Sequence, residues 1–202
     1  NNYGYKISKI AFLAEKDISN EVSKVTSATK NYDAQIENLV VSMIDMNEED
    51  FEEKLSNFIS RDGFEEAMLN VIYPFYDKVG LLWQTGNVTP AQEHFVSNIV
   101  RQKLIAAIDG LPGKLLTKPK SFLLFLPEGE MHEIGLLFTN YLLRKNGHKV
   151  IYLGQSLPLT DLEQVISKSM EVLGGKIDFV LHSIGMSPNV RKKIAYTDTN
   201  YD

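Results

Sequence analysis

Hydrophobic residues in the first half of the chain recur at the spacing of amphipathic helices. One helix face is predicted at Ile36, Leu39, Val40, Met43 and Ile44. Asn47 is a suitable N-cap for a second helix, whose buried positions are predicted to be Phe51, Leu55, Phe58 and Ile59. A third helical region runs from Phe64 to about Trp83, where Pro74 is expected to kink or restart it.

A strong helix start, Thr89-Pro90-Ala91-Gln92, opens a fourth helix that is predicted to end at Asp109. Four helices with short connections predict a four-helix bundle over residues 31–112.

After Pro119 the pattern changes to strands alternating with helices. Residues 121–127 form a continuous apolar run of strand length, which is typical of a strand buried on both faces. A helix over about 134–145 separates it from a second strand at 149–153. A helix over about 160–173 precedes a third strand at 177–184. This order predicts a parallel α/β domain over residues 119–202. His148 precedes the second strand in the turn Asn146-Gly147-His148, and we expect its side chain to be solvated.

Composition adds exclusions to this picture. The chain has 202 residues and no cysteine, which excludes disulfides and thiolate metal ligands. Its net charge is −5, and no basic run exceeds residues 191–193, so nucleic-acid binding by this stretch is not indicated. The longest apolar stretch is too short to span a bilayer, and the N-terminus lacks a signal-peptide profile. We therefore expect a cytoplasmic fragment of a longer protein that makes no membrane contact.

Candidate chemistry lies after the first predicted strand. Ligands of parallel α/β sheets bind at the carboxyl ends of the strands, and His132 follows the strand there between acidic residues. Histidine is the commonest metal ligand, and a neighbouring carboxylate can fix its tautomer. Taken alone, His132 also fits an ordinary surface-loop histidine.

The spacing Glu130-x-His132-x-x-Gly135 resembles the cobalamin-binding motif of Rossmann-like corrinoid domains. The resemblance implies that His132 is the lower cobalt ligand, that Glu130 supports it by hydrogen bonding, and that Gly135 allows close approach of the cofactor.

A second motif, Trp83-x9-Glu93-His94, resembles that of cobalamin-dependent MerR-type regulators, the CarH-like photoreceptors. The resemblance covers about residues 3–165. It implies that the helical bundle covers the upper face of adenosylcobalamin, with Trp83 against the upper ligand and Glu93 and His94 lining the pocket. Without this motif, Trp83 would be interpreted as a core aromatic residue and His94 as a half-buried residue on a helix face.

The resemblance also implies what the chain does not carry. Residues 1–30 resemble the segment that follows the DNA-binding helix-turn-helix of these regulators, so DNA contact is expected only through a helix-turn-helix missing from the chain. The photoreceptors have a second cobalt-binding histidine after the tryptophan, whereas this chain has Gln84. We therefore do not expect a bis-histidine cobalt adduct after illumination. The sequence leaves self-association open.

The last part of the chain resembles a different family. Residues from about 161 to 202, including Ser183-Ile184-Gly185, are similar to a fragment of enoyl-acyl-carrier-protein reductase. Both this resemblance and that to the corrinoid domain imply a buried parallel strand at 177–184. We expect this foreign tail to leave the Rossmann-like domain truncated, with weakened cobalamin binding and no binding of NAD.

Four functions are compatible with these patterns to different degrees. The favoured hypothesis is a non-enzymatic, cobalamin-binding sensory fragment of a MerR-type regulator. The main alternative is a corrinoid protein of a methyltransferase system, which pairs a helical bundle with the same histidine motif. An enoyl reductase fragment is disfavoured because the dinucleotide loop and the catalytic Tyr/Lys segment are missing. An interaction module without a cofactor is the fourth.

Overall fold

The computed structural model describes residues 32–182, and side chains through Val180. The chain divides into two compact units, Asn1–Ile99 and Val100–Asp202. The predicted linker at 1–30 lies outside the described residues, as does the reductase-like segment Ser183-Ile184-Gly185. The predicted domain limits, 31–112 and 119–202, place the boundary later in the chain and stay predictions.

The first unit is built from helices. Helix α1 spans Tyr32–Ile44, and α2 spans Glu48–Asp62. A short α3, Phe64–Ala67, continues through a π-helical segment, Met68–Ile72, into α4, Tyr73–Gln84. Helix α5 spans Pro90–Asp109, and the division between the two units falls inside it. The four predicted helical regions are therefore present.

Capping residues define where these helices begin. The Asn47 side chain accepts a hydrogen bond from the Asp50 amide at 3.1 Å, as predicted for the start of α2. At the start of α5, the Gln92 Oε1 atom accepts from the Thr89 amide at 2.9 Å, which is the predicted reciprocal cap. The restart at Pro74 takes the form of the π-helical segment ahead of α4, because proline lacks the amide proton needed to continue the α-helical hydrogen-bond ladder.

The core of the first unit follows the predicted helix faces with two exceptions, Ile59, which is only partly buried, and Ile44. Met43, Phe51 and Phe75 are fully buried, and the rings of the two phenylalanines pack edge to face with their centroids 5.7 Å apart. Ile44, predicted on the buried face, is 43% exposed because it is the last residue of α1.

The second unit contains a three-stranded parallel sheet. Its strands are β1, Ser121–Pro127, β2, Lys149–Leu157, and β3, Phe179–His182, in the order β2-β1-β3. Helix α6, Ile134–Lys145, connects β1 to β2. A 3-10 turn, Leu159–Asp161, and α7, Leu162–Leu173, connect β2 to β3. The predicted fold class, a helical domain followed by a small parallel α/β domain, is confirmed.

Burial within the sheet is uneven. The central strand β1 is buried on both faces, as predicted, with Leu123, Leu124 and Leu126 fully inaccessible. The prediction that the third strand is buried is wrong for its described side chains, because Phe179 is 49% and Val180 is 47% exposed. Within residues 32–182, strand β3 pairs only with β1 and is therefore an edge strand of the described sheet.

The predicted solvated position of His148 is also incorrect. Its imidazole is half-buried, with its ring centroid 5.4 Å from that of Phe122.

An irregular stretch of β2 lies beside the carboxyl end of β1. The register between the two strands shifts after Leu124 and again before Pro127. Gly154 and Ser156 of β2 both have positive φ angles, of 81° and 52°. Bulges of this kind redirect side chains at the end of a sheet. Here Ser156 Oγ accepts a hydrogen bond from the Gly129 amide at 3.1 Å, which ties β2 to the loop that follows β1.

Candidate functional site

The loop between β1 and α6 holds Glu130 and His132 in direct contact. Glu130 is buried, and its Oε1 atom lies 2.6 Å from His132 Nδ1. The same oxygen accepts hydrogen bonds from the backbone amides of Met131 and His132, both at 2.9 Å. The carboxylate thus closes the loop on itself and fixes the histidine ring.

The orientation of His132 suits a metal ligand. Its side chain is 61% exposed, although Glu130, which holds it, is only 9% exposed. An Nδ1–H that donates to the carboxylate leaves the lone pair on Nε2, and a carboxylate at this position makes the imidazole a better ligand. The structure therefore brings the predicted ligand and its predicted supporting residue into direct contact.

Gly135 lies in the first turn of α6, close in sequence to the histidine. A Cβ atom built on this glycine meets no atom within 4 Å. The space next to Gly135, the glycine of the predicted motif, is thus open.

A bare metal ion has no site in residues 32–182, where no three His, Asp or Glu side chains form a metal-binding group. A corrinoid needs less from the protein, because its ring already supplies the equatorial nitrogens of the cobalt. His132 could therefore hold such a group with a single imidazole. In the same residues, no helix is both long enough and apolar enough to cross a membrane.

Of the second predicted group, Glu93 and His94 are brought together. Both lie in the first turns of α5, and Glu93 Oε2 is 2.9 Å from His94 Nδ1. Trp83 lies near the end of α4 and is 48% exposed, so it is not the core aromatic residue that the alternative interpretation required. His94 is 73% exposed rather than half-buried.

Two residues that the sequence analysis missed hold Glu93 in place. Ser97 Oγ donates to Glu93 Oε1 at 2.5 Å, and the Tyr76 hydroxyl lies 3.0 Å from Ser97 Oγ. Burial raises the pKa of Tyr76, the hydrogen bond with Ser97 lowers it, and the charge of Glu93 raises it further, so this phenol stays protonated. The four-residue spacing from Glu93 to Ser97 on one helix is the only sequence signal that could have indicated part of this chain.

A second missed group surrounds Glu133, the residue after His132. Glu133 is 5% exposed, and its carboxylate accepts hydrogen bonds from Arg101 Nε and, at 2.8 Å, from the Tyr152 hydroxyl. Burial raises the pKa of Tyr152, and Glu133 raises it further by accepting its hydrogen bond and by its negative charge. No local pattern indicates this group, because its members are far apart in sequence.

Comparison with known proteins supports the predicted resemblance for the helical part. Residues 35–107 match the family model described as a B12 binding domain. The HTH-type transcriptional repressor CarH of Myxococcus xanthus is 38% identical over 101 residues, which are 50% of this chain and 33% of that protein. The aligned region thus spans a third of the length of this curated relative. These two matches give no support to the reductase-like resemblance of residues about 161–202.

Two solved structures show weaker similarity. A cobalamin-binding protein from Desulfitobacterium hafniense DCB-2 is 16% identical, with 82% of this chain and 89% of that chain covered at a TM-score of 0.38. The methanol:cobalamin methyltransferase complex MtaBC from Methanosarcina barkeri is 14% identical, with coverage of 94% and 85% and the same TM-score, 0.38.

Proposed function

We propose that this chain is a cobalamin-binding sensory region of a MerR-type transcriptional regulator, without enzymatic activity of its own. The observation that carries the proposal is the Glu130–His132 pair, in which a buried carboxylate holds Nδ1 of an exposed imidazole at 2.6 Å. The B12 binding domain match over residues 35–107 supports the same cofactor independently.

In this proposal His132 Nε2 binds the cobalt from the lower face. Glu130 orients the ring and increases its basicity by accepting the Nδ1 proton in a hydrogen bond. Gly135 leaves room for the corrin ring near the start of α6. When bound, cobalamin would supply a cobalt centre whose ligand state a sensor could read.

The proposal is tested by the absorbance spectrum of the purified protein after incubation with hydroxocobalamin in the dark. We expect the spectrum of a histidine-ligated, base-off cobalamin, and we expect His132→Ala to remove it. His148→Ala is the matched control, because His148 packs against Phe122 at the opposite end of β1 from the loop. A wild-type protein that stays colourless after gel filtration, or an unchanged spectrum in His132→Ala, would refute the assignment.

We further propose that Trp83, Glu93 and His94 contact the upper ligand and that the bound form is adenosylcobalamin. The half-exposed Trp83 indole and the fixed Glu93–His94 pair support this proposal. Trp83→Ala is expected to weaken adenosylcobalamin more than hydroxocobalamin, since only the former carries a large upper ligand. Leu81→Ala removes another exposed apolar side chain of α4 and serves as the control. Equal losses for both cobalamins in Trp83→Ala would contradict the pocket.

Light responses and DNA contact belong to the same proposal. Because Gln84 stands where a second histidine ligand would be needed, illumination is expected to leave no stable bis-histidine adduct. DNA contact is assigned to a helix-turn-helix outside this chain, and a cytoplasmic location stays a prediction. The Trp83 motif favours the sensor over the corrinoid protein of a methyltransferase system. Methyl transfer from bound methylcobalamin to a methyltransferase partner would support that alternative.

A further inference from the structure

Glu133 and His132 are neighbours in sequence but have opposite environments. The His132 side chain is 61% exposed, whereas that of Glu133 is 5% exposed. A buried carboxylate is costly unless its oxygens are paired. Each oxygen of Glu133 has a partner, Arg101 Nε on Oε1 and the Tyr152 hydroxyl on Oε2. The loop is therefore anchored inward at the residue that follows the proposed ligand.

The partners of Glu133 come from regular secondary structure rather than from the loop. Arg101 belongs to α5, and Tyr152 belongs to β2, one strand away from the strand that leads into the loop. Both lie in the same compact unit as the loop.

The residue before His132 is held as well. The carbonyl oxygen of Met131 accepts hydrogen bonds from Gln155 Nε2 at 2.7 Å and from the Glu133 amide at 3.0 Å. The residues on both sides of His132 are thus tied to β2, Met131 through its carbonyl oxygen and Glu133 through its side chain, while the imidazole itself is held by Glu130. A side chain held in its binding conformation before the ligand arrives avoids the entropic cost of ordering on binding.

We propose that Arg101, Glu133 and Tyr152 form a positioning network that holds the His132 loop in the conformation that ligates cobalt. This inference rests on the proposed function and adds residues that neither cobalamin motif contains. None of the three is a cobalt ligand in the proposal. Arg101 and Tyr152 hold the Glu133 side chain, and Glu133 in turn fixes the backbone next to His132.

The experiment compares four variants of the full chain: Arg101→Ala, Arg101→Lys, Tyr152→Phe and Arg144→Ala. Removal of an outer partner of a metal-ligating histidine typically weakens metal binding by about 10- to 100-fold. Arg101 acts through Glu133 rather than as a partner of the imidazole, so we expect Arg101→Ala to weaken hydroxocobalamin binding by no more than the lower end of that range, about 10-fold. It should also lower the histidine-ligated fraction in the absorbance spectrum at saturation. Arg101→Lys, which keeps a cationic donor, should recover part of both losses.

The control variant separates positioning from general stability. Arg144 also donates two side-chain hydrogen bonds, but its partners, Asn140 Oδ1 and the Val150 carbonyl, belong to α6 and β2 rather than to the loop. Arg144→Ala should keep the wild-type spectrum at saturating cobalamin. If it loses the histidine-ligated fraction as much as Arg101→Ala does, the positioning role is refuted.

A second readout needs no cofactor. Amide hydrogen exchange of the cobalamin-free protein should be faster in residues 128–137 of Arg101→Ala and Tyr152→Phe, and unchanged in helices α1 and α2 of the first unit. Exchange that is unchanged in residues 128–137 would refute the network, whatever the cobalamin result. If wild-type protein shows no spectrum that depends on His132, the proposed function fails and the positioning role fails with it. If the wild-type spectrum is as expected but both variants match it, only the positioning role fails.

Discussion

Replacing Gly135 with alanine is expected to stabilise the cobalamin-free protein and to weaken its binding of cobalamin. Gly135 is the second residue of α6, and its φ angle is not among the positive ones. A built Cβ atom meets nothing within 4 Å, so the added methyl group causes no clash in the free protein.

The size of both effects follows from this geometry. Alanine in a helix is favoured over glycine by about 0.5–1 kcal/mol, because glycine loses more backbone entropy on folding. For a chain of this length that corresponds to an increase in Tm of roughly 1–4 °C. If the corrin ring lies against this position, the methyl group overpacks the interface, at about 1–3 kcal/mol, or roughly 5- to 150-fold in Kd.

The assay pairs thermal unfolding of the free protein with titration of hydroxocobalamin followed by absorbance. The opposite signs serve as an internal control, since a misfolded variant would lose stability and binding together. Wild-type affinity in Gly135→Ala would show that the glycine does not face the cofactor. A lower Tm in the free variant would contradict the open space inferred at this position.

Three further predictions concern stability. Gly147→Ala should destabilise the second unit by about 2 kcal/mol or more, because Gly147 has a φ angle of +74° and the new Cβ would lie 2.9 Å from the Leu116 amide nitrogen. An unchanged midpoint of urea unfolding would contradict this expectation. Burial raises the pKa of Asp50, but hydrogen bonds from Lys54 and Ser42 and the charge of Lys54 bring it below its ordinary value. Its contribution to stability is therefore complete above the ordinary aspartate pKa of about 3.9 and is lost as pH falls through the lower folded-state pKa. Urea midpoints of Asp50→Asn should fall less steeply than those of wild type between about pH 4 and 2, and parallel curves would contradict the shift. Gln92→Ala should lower the free energy of unfolding by about 1 kcal/mol, because it removes the reciprocal cap of α5 and the 2.9 Å hydrogen bond from Gln92 Nε2 to the Ile44 carbonyl. An unchanged Tm would show that solvent replaces both hydrogen bonds.

The sequence alone determined the elements and the contacts between near neighbours. Helices and strands follow from apolar periodicity and from capping residues, which act over a few positions, so α2, α5 and β1 were predicted closely. The Glu130–His132 and Glu93–His94 contacts join residues at most two positions apart. A short loop or one helical turn brings such residues together with little dependence on the rest of the fold.

Tertiary structure decided what depends on distant partners. In the described sheet β3 is an edge strand, so an apolar segment that the family resemblances placed in the interior has exposed side chains. By its local sequence Glu133 would be a solvated residue at the start of a helix, but in the structure it is buried. Its carboxylate is compensated there by donors from Arg101, 32 residues away, and from Tyr152, 19 residues away. Periodicity reports which face of an element is apolar. Which distant polar groups meet a buried charge depends on how the strands and helices pack, and a local pattern does not carry that information.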